Sequence, residues 1–234
     1  MKRQLEINER MRGILLDWLV EVHLKFKLFP QTLYLTVHII DRYLQSTQVQ
    51  RGDLQLVGLA SLLIASKYEE IYSPELRDFT YISDNAYTKQ QILLMEGAIL
   101  DALEFNLTTT YPIVFVKRFQ KITKVPAKVA MMTNYLLELG LIHLQLASLK
   151  PSQQAFGAFY LACKICKSPE SCKEVHEWMS VNENEVKVIA LKYVQLWKNE
   201  NKKMGACTSN GRLDAVRRKY SAPKFLQIAN IKNI

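Results

Sequence analysis

Residues 11–22 read MRGILLDWLVEV, and at the 100° per residue of an α-helix this stretch is apolar on nearly every side. One stripe of that helix carries Met11, Ile14, Leu15, Trp18 and Val22. The opposite side carries Leu16, Leu19, Val20 and Leu24. Asp17 and Glu21 form a narrow polar face between them. Such a helix is typical of one that other helices cover on several sides, although the first stripe could instead stay open as a docking groove.

The composition supports a sizeable core and gives no sign of a membrane protein. Of 234 residues, 49% are apolar and 10% are aromatic, which is enough for one large domain or two of about 100 residues. No run reaches the roughly 18 apolar residues of a membrane span, and the opening MKRQLEINER lacks the apolar stretch of a signal peptide. We therefore expect a protein of the nucleus and cytoplasm with no membrane partner.

The net charge of +9 is spread unevenly along the chain. Residues 198–234 hold nine Lys or Arg against two Asp or Glu, whereas residues 1–107 hold eleven against fourteen. Nucleic acid is one conceivable ligand for the basic end, but no aromatic residues interleave with its charges to stack bases. The pattern favours a solvated, loosely packed extension at 200–234, with no nucleic-acid partner.

Four cysteines raise the question of a metal site. Cys163, Cys166 and Cys172 could be combined with His176 as zinc ligands, and Cys207 lies further on. However, the first two lie in AFGAFYLACKICK, where small and apolar residues recur at helical spacing, and the chain has no second CxxC. We interpret them as reduced helix thiols and expect no metal.

The whole chain reads as α-helical, because its apolar runs have helical spacing and no hairpin signal joins alternating segments. Breaks at Pro and Gly separate ten predicted helices, at 6–27, 31–47, 53–70, 75–80, 88–104, 112–122, 126–147, 151–166, 171–178 and 183–199. The predicted N-caps are Asp53, Thr88 and either Asn182 or Asn184. An offset of 97 residues places LLIASK (62–67) on FYLACK (159–164) and Ile39-Ile40-Asp41 on Leu136-Leu137-Glu138. This register predicts two copies of one five-helix unit, at 1–107 and 108–199.

Four stretches together are similar to a known family. MRGILLDWLVEV, LYLTVHIIDRYL, LQLVGLASLLIASKYEEIYSPE and YTKQQILLMEGAIL resemble the first cyclin box of A- and B-type cyclins, and KYEEIYSPELRDFTYISDNAYT is closer to the mitotic B-type. The resemblance implies an all-α fold of two tandem five-helix cyclin boxes. It implies a regulatory subunit that activates a cyclin-dependent kinase at G2/M, with no catalytic residue and no cofactor. The sequence starts a few residues before this box, so the destruction signals of mitotic cyclins are expected to be absent.

The resemblance also assigns residues to the kinase contact. Lys67 in ASKYEE and Glu96 in LLMEGAI match the lysine and glutamate with which the family binds its kinase. An apolar seat around them is expected from Ile64, Tyr68 and Phe105. Glu69 and Glu70 are expected to face basic residues of the kinase.

A second set of matching positions implies a groove that docks substrates and inhibitors carrying Arg-x-Leu peptides. Its residues are Met11, Ile14, Leu15, Trp18, Glu21 and Gln55, with Glu21 opposite the arginine of the peptide. Arg12 and Asp41 match a buried structural pair. Gly13 departs from the alanine that is usual in the family, which weakens the helix by up to about 1 kcal/mol.

Two alternatives remain from the sequence. One is a cyclin-box transcription factor or transcriptional cyclin, although the first box is acidic and no zinc ribbon precedes it. The other concerns a basic set in the second unit, which either binds phosphate on a partner or is a solvated face: Lys117, Arg118, Lys121, Lys124 and Lys128.

Overall fold

The computed structural model describes residues 4–179, 183–202 and 213–231. Every regular element in these ranges is helical. The chain divides into two compact units, residues 1–109 and 110–234. The helices of the first unit are α1 (Glu9–Phe26), α2 (Pro30–Ser46), α3 (Leu54–Glu69), α4 (Leu76–Ile82) and α5 (Lys89–Ala102). The helices of the second are α6 (Pro112–Ile122), α7 (Ala127–Ile142), α8 (Leu144–Ala147), α9 (Pro151–Ile165), α10 (Pro169–Met179), α11 (Glu183–Lys202) and α12 (Ala215–Ser221).

In the first unit α3 is the central helix, since α1, α2, α4 and α5 all contact it. Its residues from Leu54 to Ser66 are buried apart from Gln55, which is half-buried. A Cβ added at Gly58 would lie 2.7 Å from Cδ1 of Leu15, so the glycine lets α1 pack against α3 at close range. The all-round apolar pattern of α1 therefore reflects burial on several sides, as the sequence predicted.

Two local expectations for the first unit were wrong. Asp17 was placed on a polar face, but it is buried, because α1 is covered on that side as well. Asp53 was expected to cap α3, but its side chain makes no capping hydrogen bond, because it ends a short 3-10 turn at Arg51–Asp53. The cap at Thr88 is present, since its hydroxyl accepts from the Gln91 amide.

In the second unit α9 takes the central position, in contact with α6, α7, α10 and α11. The offset of 97 residues carries α2 onto α7, α3 onto α9 and α5 onto α11, which agrees with the predicted repeat. One predicted helix, 126–147, is divided into α7 and α8 by the extended backbone of His143. Of the two candidate caps for α11, Asn182 lies outside the described residues and Asn184 lies within the helix.

The basic C-terminal residues are not a loosely packed extension where the structure describes them. Residues 213–231 include α12, which packs on α7, and they bury Tyr220, Ile228 and Ala229. The expectation of a loose extension rested on the net charge of this segment and not on the spacing of its apolar residues. In the described residues, no helix is long and apolar enough to span a bilayer.

Candidate functional site

Lys67 and Glu96 form an ion pair between the last turn of α3 and the middle of α5. The Lys67 Nζ lies 2.7 Å and 2.8 Å from the two carboxylate oxygens. The lysine side chain is 50% exposed and the glutamate side chain only 11%, so the carboxylate lies beneath the ammonium group. As a whole residue Glu96 is buried, so of the two partners it is the lysine that presents its charge to solvent. Since half-exposed pairs add little to stability, this pair mainly holds the ammonium group in place.

Large apolar side chains are exposed on the same unit. Tyr68, which follows Lys67, is half exposed, and Phe105 is 67% exposed. Phe105 and the preceding Glu104 both have positive φ, 56° and 52°, a strained backbone for residues with side chains. Strain that leaves a phenylalanine ring in water is typical of a binding position. The sequence did not point to further exposed apolar residues of this unit, among them Ile71, Tyr72 and Leu94.

Two of the residues assigned to the kinase contact, Ile64 and Glu70, do not have the exposed environment expected of a contact residue. Ile64 is only 3% exposed, because it lies on the buried face of the central helix, so it supports the surface from below and is no part of it. The Glu70 carboxylate accepts hydrogen bonds from the Phe29 amide, at 2.7 Å, and from the Thr32 hydroxyl. These groups lie at the start of α2, whose N-cap residue supplies no side-chain capping bond. Glu70 therefore caps α2, although it is 38 residues or more away in the sequence from the groups it binds. The preceding Glu69 is half-buried.

The groove residues gather on α1 and at the start of α3. Met11, Ile14, Trp18 and Glu21 follow each other at intervals of three or four residues on one face of α1. Ile14 is 48% exposed and Glu21 is exposed, whereas Met11 and Trp18 are half-buried. Gln55 lies one turn before Gly58, on the side of α3 that meets α1. Leu15 is buried against Gly58, so it lies beneath the exposed side of α1 and offers little surface to the expected groove.

Arg12 and Asp41 join α1 to α2. Nε and Nη2 of Arg12 each lie 2.6 Å from a different carboxylate oxygen, and Arg12 is almost fully buried. The second unit contains a similar arrangement that sequence reasoning missed: Lys219 Nζ lies 2.8 Å from both oxygens of Glu138, and the Tyr220 hydroxyl donates to Oε1 at 2.8 Å. Glu138 is the residue that the 97-residue offset equates with Asp41. That register was the signal for a buried acid in need of a cation.

The remaining candidates are the basic set and the cysteines. Lys117, Arg118, Lys121, Lys124 and Lys128 are all exposed. Cys163, Cys166 and Cys172 are free thiols, and the described residues contain no group of three metal-ligating side chains. The side chain of His176 lies outside the description.

Comparison with known proteins assigns both parts of the chain to the same family. Residues 1–108 match the family described as "Cyclin, N-terminal domain" and residues 110–233 match "Cyclin, C-terminal domain". A G2/mitotic-specific cyclin-B of Hydra vulgaris is 39% identical over 234 residues, covering 100% of this chain and 63% of the relative. Cyclin-B1-4 of Arabidopsis thaliana is 41% identical over 235 residues, covering 99% of this chain and 58% of the relative. The chain thus spans about three fifths of the length of these two relatives.

Two solved structures share the fold. A viral cyclin from herpesvirus saimiri has a TM-score of 0.73 at 23% identity, covering 83% of this chain and 89% of the viral chain. A chain of the CAK complex of Chaetomium thermophilum, bound to ATP-gamma-S, has a TM-score of 0.60 at 14% identity, covering 95% of this chain and 72% of the other.

Proposed function

The chain belongs to the cyclin family, and from this membership we propose that it is a regulatory subunit that binds and activates a cyclin-dependent Ser/Thr kinase at G2/M. The relatives with the names of mitotic cyclins support the B-type assignment. The single observation that carries the proposal is the Lys67–Glu96 pair, on a unit that also exposes Tyr68, next to Lys67 in sequence, and Phe105, which follows α5.

The pair suits a contact that selects one shape of a partner. An active kinase needs an ion pair between a strand lysine and a glutamate on its regulatory helix. A fixed ammonium group and rigid aromatic rings bind well only to a surface in the matching conformation. Changing such an equilibrium from 1:99 to 99:1 takes about 5.5 kcal/mol of differential affinity, which a large, well-packed interface can supply. In this proposal the chain contributes binding free energy and no chemistry.

The second unit lacks the same constellation, which favours the first as the kinase contact. The 97-residue offset equates Lys67 with Lys164, but it equates Glu96 with Tyr193, which is fully buried. No carboxylate is therefore available at that position to hold Lys164.

The experiment combines the chain with an inactive, monomeric cyclin-dependent kinase and measures phosphorylation of histone. Wild type should activate the kinase, and Lys67→Ala with Glu96→Ala should raise the Kd by at least about 30-fold, the effect of losing one interface hot spot. Helical content measured by circular dichroism should be unchanged. The matched control is Asp214→Ala with Arg218→Ala, which removes an exposed ion pair from the second unit. Co-purification of the Lys67/Glu96 variant at wild-type affinity would contradict the proposal.

We further propose that the groove on α1 recruits substrates and inhibitors that carry Arg-x-Leu. Ile14, Met11 and Trp18 offer an apolar surface to the leucine, and Glu21 offers a carboxylate to the arginine. Gln55, at the start of α3, borders the same surface. Gln55 and Lys67 are about 18 Å apart along one helix, at 1.5 Å per residue. A docked peptide and a bound kinase would therefore occupy separate places.

Localisation in the nucleus and cytoplasm remains part of the proposal. It fits a kinase regulator without nucleic-acid or membrane partners.

A further inference from the structure

We propose that Cys163 and Cys172 are a reversible dithiol pair, which forms a disulfide by exchange with an anionic low-molecular-weight disulfide such as oxidised glutathione. Cys163 lies on α9 and Cys172 on α10, two helices in direct contact. Both are free thiols, their side chains are joined by a hydrogen bond, and both line the same cavity. The pairing is independent of the kinase contact proposed for the first unit.

The difference in burial between the two thiols indicates different roles in the exchange reaction. Cys172 is half-buried, so a small disulfide can reach its sulfur, whereas Cys163 lies deeper and is almost fully buried. The hydrogen bond that the Cys163 thiol donates to Cys172, and then burial, raise the pKa of the Cys163 thiol, which keeps it protonated in the reduced state. Cys172 is therefore the attacking thiol and Cys163 the resolving one.

The neighbouring Cys166 is a natural comparison. Its thiol lies 3.8 Å from the carbonyl oxygen of Lys128, at the start of α7, and burial raises its pKa. Since that contact directs its sulfur toward a different helix, we assign it no part in the pair.

The cavity that exposes the pair favours an anionic reagent. It has a volume of about 690 Å³, which is room for a tripeptide. Among the residues that the structure describes, its charged lining consists of Lys164, Lys167, Lys173 and Glu177. Three cations against one anion raise the local concentration of a negatively charged disulfide and its rate of encounter with the thiols.

The disulfide forms in two exchange steps, in which atoms and electrons balance. The Cys172 thiolate attacks one sulfur of oxidised glutathione, forms a mixed disulfide and releases one glutathione thiolate. Cys163 then attacks the Cys172 sulfur, forms the intramolecular disulfide and releases the second glutathione. The two cysteine protons end on the two glutathione thiols, so two protein thiols are oxidised while one glutathione disulfide is reduced. Reduced glutathione reverses both steps, as expected for a transient, redox-sensing pair in a reducing compartment.

The first test incubates the reduced chain of 234 residues with oxidised glutathione and maps its peptides by mass spectrometry without reduction. A Cys163–Cys172 linkage should form, with the loss of two hydrogens, and should disappear with reduced glutathione. Cys163→Ser and Cys163→Ala should each retain one glutathionyl group on Cys172, and Cys166→Ser should behave as wild type. Stable glutathionylation of Cys172 in the wild type, or pairing through Cys166 or Cys207 instead, would overturn the proposal.

The second test addresses the cavity. Lys167→Glu with Lys173→Glu should slow the exchange with oxidised glutathione by at least about tenfold at low ionic strength. Exchange with neutral 2-hydroxyethyl disulfide should keep its rate. Lys117→Glu with Lys121→Glu, which changes the net charge equally on another surface, should slow neither reagent. Equal slowing of both reagents by the first variant would refute the role of the lysines.

Discussion

Replacing Glu138 by glutamine should release the C-terminal helix α12 from the second unit. Both oxygens of Glu138 lie 2.8 Å from Lys219 Nζ, and the two side chains are only 4% and 5% exposed. Glutamine fills the same volume but leaves the ammonium group buried without a counter-charge. Removing one partner of a buried pair costs about 3 to 5 kcal/mol. Because the amide oxygen still accepts one hydrogen bond, we expect the lower end of this range.

Hydrogen exchange of the amides in residues 215–221, followed by mass spectrometry, measures the opening of α12 directly. A loss of about 3 kcal/mol raises the exchange rate by about 100-fold. Combining Glu138→Gln with Lys219→Met removes both charges and should restore most of the protection, since a neutral pair carries no charge to desolvate.

The control for this measurement is Asp214→Asn, which breaks an exposed pair with Arg218 on the same helix and should cost less than about 1 kcal/mol. If Glu138→Gln and Asp214→Asn accelerate exchange equally, or if the double variant is less protected than Glu138→Gln alone, the argument from charge burial is wrong.

Three further outcomes are expected. Glu70→Ala removes the acceptor for the Phe29 amide and the Thr32 hydroxyl, so it should lower the free energy of unfolding in urea by about 1 to 2 kcal/mol, and an unchanged midpoint would contradict the capping role. Burial, with a smaller effect of Arg42, lowers the pKa of His38 below 6.5, so the unfolded chain takes up the proton first and stability should fall as pH drops through about 6.5. His38→Gln should flatten that fall in urea midpoints between pH 7.5 and 5.5, and a slope equal to wild type would count against it. Trp18→Ala should reduce phosphorylation of Arg-x-Leu proteins by the bound kinase while short peptides are still phosphorylated, whereas equal loss on both would indicate a folding defect.

The helices and their repeat could be predicted because periodicity is a local property of the sequence. The resemblance located Lys67 and Glu96 on separate helices, and the packing of α3 on α5 joins them. The pairing of Arg12 with Asp41 followed from the resemblance in the same way. The roles that could not be predicted depend on partners that are distant in sequence. The acceptor role of Glu70 involves donors 38 and 41 residues away, which no pattern in KYEE reveals.

The C-terminal segment shows a different failure, because net charge was given more weight than individual residues. Lys219 was counted as one charge of a basic tail, although its neighbour Tyr220 is a core residue. A lysine beside an apolar residue in a helix can be buried when an acid is available, and Glu138 was already identified by the register of the repeat. Ile64 was misjudged for a related reason, since its position next to the exposed end of α3 says nothing of which side it faces.

A single helix, α3, carries Gln55 at one end and Lys67 at the other. It therefore holds the proposed docking groove and the proposed kinase contact at a fixed separation. A protein held in the proposed groove by its docking peptide would be confined near the proposed kinase contact, so its phosphorylation would behave as an intramolecular reaction with an effective concentration set by the intervening linker. Linkers too short to bridge from the docking peptide to the kinase should gain nothing from docking. Among sites on one substrate, the order of modification would then follow their distance along the chain from the docking peptide.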